Sequence, residues 1–251
     1  MNSAALQAAK ARLRILMKDR LSRLSPESVT AQSETLFKTL LNFKPYQDAK
    51  ALGVFLSMPR CEIQTDAIVR HALAAGKHVF VPYLHRSRLP KGEGPARIMD
   101  MVKVRDVHDY ESLRHDKWGI PSVDESTVDQ RQRSVGEIDG DSSADMPLDL
   151  IFLPGVAFDL DPKTREVRRL GHGKGFYDYF LHRYSLIAST EVERASQDGH
   201  APVLLYALAL KEQFIPPALG EAVPVGPHDQ PIHGIILGDG QIKESASSDR
   251  D

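Results

Sequence analysis

The sequence LDLIFL at residues 148–153 is a nearly continuous apolar run, as expected of a strand that is buried on both faces of a sheet. Upstream, residues 51–56 form a second short apolar run, residues 65–75 have helical periodicity, and residues 78–82 are again rich in β-forming side chains. This β-α-β alternation predicts an α/β fold. A largely parallel or mixed central sheet would be flanked by helices in three layers.

Two helices are predicted before the first strand. Apolar residues recur at three- and four-residue steps between positions 6 and 21, which indicates an amphipathic helix with Lys10 and Arg14 one turn apart. The sequence SPE at residues 25–27 then offers a cap, a proline suited to the first helical position and an early acid. A second helix is therefore expected to run to about residue 43.

Later segments continue the α/β pattern. Residues 99–104 alternate apolar with polar side chains, which favours a half-exposed strand, and residues 203–210 form another strand candidate. Between them, a helix with apolar periodicity is expected to pass through Phe180 and Leu181 and to end near Tyr184.

Three polar segments lie outside the predicted core. Residues 123–147 and 189–201 are interpreted as surface insertions, the first because it has almost no large apolar side chains to bury. Residues 243–251 are interpreted as a disordered tail. Residues 1–242 are therefore predicted to form one elaborated domain, without an internal repeat that would indicate a solenoid.

The composition is ordinary for a globular protein, with 41% hydrophobic and 26% charged residues. A formal net charge of −2 gives no general attraction to polyanions, so an anion must be bound by a local cluster of donors. The single cysteine, Cys61, cannot form an internal disulfide. No apolar run approaches the roughly 20 residues needed to cross a bilayer, so no membrane insertion is expected and the cytoplasm is favoured.

Glycine occupies alternate positions in RLGHGKGFYD, residues 169–178. Glycine permits tight turns and close ligand approach, and the helix that follows would aim N–H groups and the positive end of its dipole at the loop. The pattern therefore favours phosphate binding. It fits neither a Walker A loop nor a dinucleotide fingerprint, since the spacing differs and charged residues 163–169 precede it in place of a buried strand. A glycine-rich turn with solvated basic side chains is the alternative on spacing alone.

The glycine loop and LPGVAFD at residues 153–159 together closely resemble the signature of the 5-formyltetrahydrofolate cyclo-ligase family. Further family-like motifs occur in the same order along the chain. They are KARLR at 10–14, FLSM at 55–58, EIQT at 62–65, MDMV at 99–102, WGIP at 118–121, ALALKEQ at 207–213, and VPV at 223–225 followed by Asp229. Several separated motifs in one order are far more specific than a glycine pattern alone.

The resemblance implies an enzyme that uses ATP to convert 5-formyltetrahydrofolate into 5,10-methenyltetrahydrofolate, ADP and phosphate. In the family's reaction the formyl oxygen is phosphorylated and N10 closes the ring. Phosphoryl transfer needs positioning and positive charge without a protein nucleophile, so the lack of an obvious triad is consistent. Arg169 and Lys174 are the predicted catalytic residues. The implied ATP-binding residues are Lys10, Arg14, Arg169, Gly171, His172, Gly173, Lys174, Gly175, Phe176 and Tyr177.

The resemblance also implies a magnesium site and a folate site. Asp178 and Asp229 match the family's metal positions, although the first could simply stabilise a helix N-terminus and the second could be a turn residue. Glu62 can accept paired hydrogen bonds from the pterin edge, and Trp118 can stack on the folate. The alternatives are that Glu62 is a solvated acid and that Trp118 anchors a loop. The implied folate-binding residues are Leu56, Glu62, Trp118 and Phe176.

Two positions depart from the family pattern. His172 stands where some relatives carry Arg, which removes a permanent charge, and Phe176 stands where many relatives have Tyr, which removes a hydroxyl. A catalytically degenerate folate- or nucleotide-binding protein is therefore one alternative. A nucleic-acid-binding protein that uses the basic side chains of residues 163–169 is another, but Glu166 interrupts that run and the net charge is negative.

The expected partner is thus a small-molecule folate, with no nucleic acid and no membrane, and a monomer is favoured. The basic, acid-poor first 23 residues also fit a mitochondrial presequence. Because Lys10 and Arg14 match ATP contacts, cleavage of the first helix would remove part of the site. A retained, cytoplasmic N-terminus is therefore favoured over a mitochondrial one.

Overall fold

The computed structural model describes residues 3–87, 90, 94–134, 146–194, 202–217 and 220–246. The helices, in chain order, are α1 Ser3–Ser22, α2 Pro26–Leu41, α3 Lys44–Asp48, α4 Asp66–Ala74, α5 Val107–Glu111, α6 Glu125–Val128 and α7 Phe176–Arg194, with a 3-10 helix at Lys211–Gln213. The strands are β1 Ala51–Val54, β2 His78–Arg86, β3 Arg97–Val104, β4 Arg114–His115, β5 Pro121–Ser122, β6 Leu150–Leu153, β7 Ala157–Leu160, β8 Val167–Leu170, β9 Leu204–Ala209, β10 Gly234–Leu237 and β11 Ile242–Glu244.

The two predicted N-terminal helices are present. α1 buries an apolar stripe that includes Leu13 and Leu21. α2 begins as the sequence predicts, because the Ser25 hydroxyl accepts a hydrogen bond from the N–H of Ser28 at 3.2 Å and Pro26 opens the first turn. α2 ends two residues before the expected position.

Seven strands form one mixed sheet in the order β11-β10-β9-β6-β1-β2-β3. The five strands from β10 to β2 are parallel to one another, whereas the edge strands β11 and β3 run antiparallel to their neighbours. In the centre, Gly53 of β1 lies opposite Phe80 of β2 and Ile151 of β6. The apolar run that predicted a central strand is confirmed, since β6 is buried along its whole length.

Helices and a hairpin cover the two faces of this sheet. On one face, apolar side chains of α2, α3 and α4, among them Leu36, Tyr46 and Ile68, pack against the strands. On the other face, Phe180 of α7 and Phe158 of the β7–β8 hairpin do the same. Removal of this apolar surface from water drives the assembly of the layers. The three-layer α/β prediction is confirmed.

The edge strand β3 is more buried than the sequence predicts. Met99 and Met101 pack in the cluster that contains α7, whereas Val102 and Val104 pack in the cluster on the opposite face. The expectation of a half-exposed strand is wrong because Asp100, the polar residue that suggested it, is itself buried in ion pairs.

A strand, β8, immediately precedes the glycine loop, where the charged residues 163–169 argued against a buried strand. Its basic character concealed it, because the Arg168 guanidinium is paired with Asp159 at 2.6 Å and with Asp161 at 2.5 Å. A strand does precede the loop, so the absence of one was wrongly used to exclude a dinucleotide fingerprint. The glycine spacing still excludes it.

Part of the predicted insertion at 123–147 is packed. Val123 and Val128 are buried, and the Arg131 guanidinium donates to the two carboxylate oxygens of Asp109 at 2.6 and 2.8 Å. This part of the segment has no large apolar side chains to bury. Two buried valines and a buried ion pair fix it instead. Residues 135–145 lie outside the described part of the chain.

The second predicted insertion begins inside a helix. α7 continues to Arg194, ten residues past the expected end at Tyr184, so residues 189–194 are helical. Residues 195–201 lie outside the described residues. In the part of the chain that the structure describes, no helix is both long enough and apolar enough to cross a bilayer.

The beginning of the predicted tail is ordered. β11 pairs with β10, and the Ser245 hydroxyl donates to the carbonyl of Ile232 at 2.7 Å while accepting the N–H of Val167 at 2.9 Å. The boundary predicted at residue 242 therefore falls within a strand. Residues 247–251 lie outside the described residues.

Candidate active site

The first helix provides two cations to the candidate site. The Lys10 ammonium lies 2.7 Å from Oδ1 and 2.5 Å from Oδ2 of Asp229, and the Asp229 carboxylate also accepts the N–H of Gly226 at 2.6 Å. A Cβ atom on Gly226 would lie 2.6 Å from Cδ2 of Leu6, so this loop rests directly on the first turns of α1. Two predicted site residues that are 219 positions apart thus form an ion pair.

One helical turn further, Arg14 contacts the glycine loop. Its Nε donates to the carbonyl oxygen of Gly171 at 2.8 Å. Gly173 has a φ of +91°, and a Cβ there would lie 3.1 Å from the Arg14 guanidinium carbon. Both the backbone conformation and the close approach therefore require glycine at this position. Arg14 and the glycine loop, both implied to bind ATP, therefore lie against each other.

Arg169 at the end of β8 is a buried cation at the base of the loop. It donates to Oδ1 of Asp178 at 2.5 Å and to the carbonyl of Pro154 at 3.2 Å, and only 8% of the residue is exposed. Its Nε has no hydrogen-bond partner among the described residues. Asp178 lies in the first turn of α7, where the helix dipole also favours a carboxylate.

Glu62 is a buried carboxylate that faces the glycine loop. Only 5% of the residue is exposed, and its Oε2 accepts the N–H of Met58 at 2.9 Å. Burial raises the pKa of Glu62 to about 7. Its Oε1 lies 4.0 Å from Nε2 of His172. The predicted folate residue and the predicted nucleotide loop therefore meet at this carboxylate.

His172 lies among other charged groups of the site. Desolvation lowers the pKa of the half-exposed His172 imidazole, and the nearby guanidinium groups of Arg169 and Arg14 lower it further. Burial raises the pKa of the neighbouring Tyr177 phenol, and Glu62 adds to that shift. A neutral imidazole and a neutral phenol therefore lie beside Glu62 in the unliganded protein at neutral pH.

The other predicted residues line the same region with fewer polar contacts. Leu56 is buried and belongs to the core, and Phe176 is partly buried against the cluster beneath α7. Lys174 is exposed at the tip of the loop. Gly175 has a φ of +70°, a conformation that an L-residue adopts only with strain.

Trp118 is 60% exposed, on a turn that touches the Glu62 segment. The next residue, Gly119, has a φ of +78°, and a Cβ there would lie 2.8 Å from Cγ of Pro59. The Lys117 ammonium lies 4.2 Å from the centroid of the Trp118 ring. Trp118 is therefore held at the surface next to the predicted folate residues and is mostly exposed.

The carboxylates of the site are the candidate ligands for magnesium, which prefers oxygen donors in near-octahedral geometry. Among the described residues, no three His, Cys, Asp or Glu side chains are grouped as a ready-made metal site. Magnesium usually keeps phosphate oxygens and waters beside one or two carboxylates, so such a group is not required. Asp178 keeps Oδ2 outside its ion pair with Arg169, whereas both oxygens of Asp229 accept hydrogen bonds from Lys10. Asp178 fits a metal directly, and Asp229 fits only if Lys10 moves.

Sequence reasoning missed the residues that hold the Glu62 segment. The side-chain amide of Gln64 donates to the carbonyls of Met58 and Glu62 at 2.9 and 2.8 Å. The N–H of Gln64 in turn donates to the Ser33 hydroxyl of α2 at 3.0 Å. Only the Ser33 contact joins distant segments, and membership of the EIQT motif at residues 62–65 is the signal that could have indicated Gln64.

Asp159, at the end of the LPGVAFD motif, also has a positioning role that the sequence did not reveal. Its carboxylate accepts two hydrogen bonds from the Arg168 guanidinium. It also accepts the N–H of Val223 at 2.8 Å. The chain that leads to Asp229 is thereby fastened to the β7–β8 hairpin. Membership of the motif is the signal that could have indicated this role.

A separate polar cavity of about 440 Å³ lies away from these residues, between the end of β3 and the helices α5 and α6. Its buried cation, Arg131, is already paired with Asp109. None of the predicted site residues lines it. The candidate site is instead the open region where α1, the glycine loop and the Glu62 segment meet.

Comparisons with known proteins indicate the family of this chain. The family model described as the 5-formyltetrahydrofolate cyclo-ligase family matches residues 6–238. A probable 5-formyltetrahydrofolate cyclo-ligase of Caenorhabditis elegans is 34% identical, over 84% of this chain and 86% of the relative. The 5-formyltetrahydrofolate cyclo-ligase of Mus musculus is 30% identical, over 95% of this chain and 98% of that relative.

The fold also matches a solved structure. The 5,10-methenyltetrahydrofolate synthetase of Aquifex aeolicus superposes with a TM-score of 0.58 at 23% identity, and the match covers 94% of this chain and 92% of that one. At that identity the likeness shows the shared architecture. The extent of the family match and the two relatives show more, namely that this chain belongs to the 5-formyltetrahydrofolate cyclo-ligase family.

Proposed function

We propose that the protein catalyses the ATP-dependent closure of 5-formyltetrahydrofolate to 5,10-methenyltetrahydrofolate, with release of ADP and phosphate. The observation that carries this proposal is the 4.0 Å approach of His172 in the glycine loop to the buried carboxylate of Glu62. This approach places the glycine loop, which can bind phosphate, next to the Glu62 carboxylate, which can accept hydrogen bonds from a pterin. The two substrates of the proposed reaction would meet at this point.

ATP supplies the phosphoryl group that turns the poorly reactive formyl oxygen into a leaving group, so that N10 can close the ring. The protein's part is to position the phosphates and to offset their charge. Arg14 and Arg169 are fixed by their contacts with the loop and with Asp178. Lys174 is exposed and can swing toward a bound phosphate. We assign Arg169 and Lys174 to charge stabilisation during transfer.

Glu62 is proposed to bind the pterin. An ionised carboxylate can accept two parallel N–H donors from the amino-pyrimidinone edge, and the buried position of Glu62 strengthens such hydrogen bonds. Leu56 and Phe176 would supply apolar walls, and the exposed ring of Trp118 would stack on the folate. Phe176 offers aromatic surface without a hydroxyl, so this chain would bind without a hydrogen bond at that position.

Magnesium would neutralise phosphate charge and orient the phosphates when bound. Asp178 is the stronger candidate ligand because one of its oxygens stays outside the Arg169 ion pair. Asp229 would contribute after it exchanges Lys10 for the metal, which would leave the Lys10 ammonium available to the nucleotide. The two acids would then serve one metal site.

The direct test is to mix the purified protein with 5-formyltetrahydrofolate and MgATP and to follow the absorbance of the methenyl product. Growth of that chromophore only in the complete mixture would support the proposal. Folded protein that binds both substrates without any turnover would instead indicate a degenerate family member, the alternative raised by His172 and Phe176.

We propose no nucleic-acid-binding role. Arg168 is paired with Asp159 and Asp161, so this cation is not free to bind a phosphate backbone. We propose a cytoplasmic monomer that retains α1, because that helix carries Lys10 and Arg14. Tight, salt-dependent binding to random oligonucleotides would contradict the partner assignment.

A further inference from the structure

His172 is the residue through which the two proposed substrate sites touch. On one side lie Arg14 of α1 and Arg169 of β8, and on the other side lies the carboxylate of Glu62, 4.0 Å from Nε2. A histidine can change its charge near neutral pH, whereas an arginine at this position could not. His172 therefore puts a titratable group between the two proposed sites.

The partner carboxylate is held in a matching environment. Glu62 receives one hydrogen bond from the N–H of Met58, and its other oxygen faces His172. Burial raises the pKa of Glu62 to about 7, so near neutral pH a large fraction of this carboxyl is protonated. The Tyr177 phenol, the other titratable group beside it, is uncharged in this range because burial raises its pKa. The charge of His172 is therefore the variable that can change the ionisation of Glu62.

We propose that His172 couples the two sites, so that nucleotide phosphates at the glycine loop favour its imidazolium form and the imidazolium in turn favours the ionised Glu62 that binds folate. This inference rests on the proposed function. Its electrostatic basis is that phosphates offset Arg14 and Arg169, the two cations that disfavour a charged imidazole in the unliganded protein. Binding of nucleotide should then increase the affinity for folate, and by linkage folate should increase the affinity for nucleotide.

The direction of the pH dependence follows from this scheme. Below neutral pH, Glu62 is mostly protonated in the free protein and cannot accept two N–H donors. Nucleotide binding can therefore increase the ionised fraction of Glu62 substantially. Well above neutral pH, Glu62 is ionised whether or not nucleotide is present. The coupling should therefore be largest on the acidic side of neutrality and should vanish on the alkaline side.

The test measures the dissociation constant of 5-formyltetrahydrofolate by calorimetry, with and without a non-hydrolysable ATP analogue and magnesium, at several pH values. For the unchanged protein, the analogue should tighten folate binding about three- to fivefold near pH 6.5 and by a negligible factor near pH 8.5. His172→Asn should remove this pH-dependent tightening. His172→Arg should bind folate at the tight level with or without the analogue. His182→Asn, an exposed histidine on α7, is the matched control and should behave as the unchanged protein.

Equal coupling at all pH values, or coupling that persists in His172→Asn, would overturn the inference while leaving the proposed reaction intact. If folate binds under none of these conditions, the inference and the proposed function are both wrong. If both substrates bind and turn over but the analogue leaves the folate dissociation constant unchanged, only the coupling is wrong. The methenyl absorbance assay on the same preparations separates these results.

Discussion

The Lys10 ammonium lies within 2.7 Å of both carboxylate oxygens of Asp229, and this ion pair joins the first helix to a loop near the other end of the chain. Lys10 is 8% exposed, so the pair is largely removed from water. Removal of one partner from an ion pair of this kind destabilises a protein far more than replacement of both partners by apolar side chains. Asp229 therefore has a structural role in the unliganded protein in addition to the metal role proposed above.

Asp229→Ala should destabilise the protein by about 3 kcal/mol, because it leaves the Lys10 ammonium buried without a counter-charge. The double variant Lys10→Met/Asp229→Leu should recover most of that loss, since apolar side chains fill the same space without an unpaired charge. Urea denaturation of the two variants measures both free energies of unfolding. Equal destabilisation of the single and double variants would argue against a buried ion pair and for a packing role of Asp229.

Lys174→Ala should reduce kcat by on the order of 100-fold, since it removes a charge that offsets developing charge on the transferred phosphoryl group. The fold should be unaffected, because Lys174 is exposed. Steady-state kinetics from the methenyl absorbance assay provide the measurement. Lys163→Ala, the same change at an exposed position on the β7–β8 hairpin, is the control. Unchanged turnover in Lys174→Ala would remove this residue from the catalytic assignment.

Asp178→Asn should raise the magnesium concentration needed for half-maximal activity by about tenfold or more, because a neutral amide is a poor ligand for a hard cation. The variant keeps an oxygen that can accept the hydrogen bond from Arg169. Asp161→Asn is the matched control, since it makes the same change in an arginine-paired aspartate of the hairpin. An unaltered magnesium titration would support the simpler explanation that Asp178 only stabilises the N-terminus of α7.

Local patterns were sufficient for most of the sheet and for the glycine loop. The strand at β6 and the cap at Ser25 depend on neighbouring residues alone, and both are where the sequence predicts them. The family resemblance pointed to residues from distant segments, and the structure brings Lys10 to Asp229 and His172 to Glu62.

These errors share one physical cause, which is that periodicity and hydropathy do not register which polar side chain pairs with which. Residues 163–169 were not expected to include a buried strand, and residues 123–147 were expected to be a surface insertion. Arg168 is neutralised by two aspartates of its hairpin, however, and Arg131 is neutralised by Asp109. Hydropathy counts each of these arginines as unfavourable in a core because it cannot register the partner. The same limit explains why the brace provided by Gln64 was missed.

Glu62→Gln should change how stability depends on pH. The pKa of Glu62 is raised by burial from an ordinary value of 4.5 to about 7 in the folded protein. A folded-state pKa above the unfolded one means that the folded protein binds the proton more tightly, so stability is greatest at low pH and falls as pH rises from 4.5 to about 7. Glutamine cannot ionise, so this part of the pH dependence should be absent in the variant.

The free energy of unfolding of Glu62→Gln minus that of the unchanged protein should therefore increase by up to about 3 kcal/mol between pH 5 and pH 8. Urea denaturation at each pH measures the difference, and the exposed Glu34→Gln controls for loss of one surface carboxylate. The same variant should bind folate weakly at every pH, because an amide cannot accept two N–H donors as a carboxylate does. A stability difference that stays constant with pH would mean that Glu62 is ionised throughout, and the proposed coupling through His172 would then lose its basis.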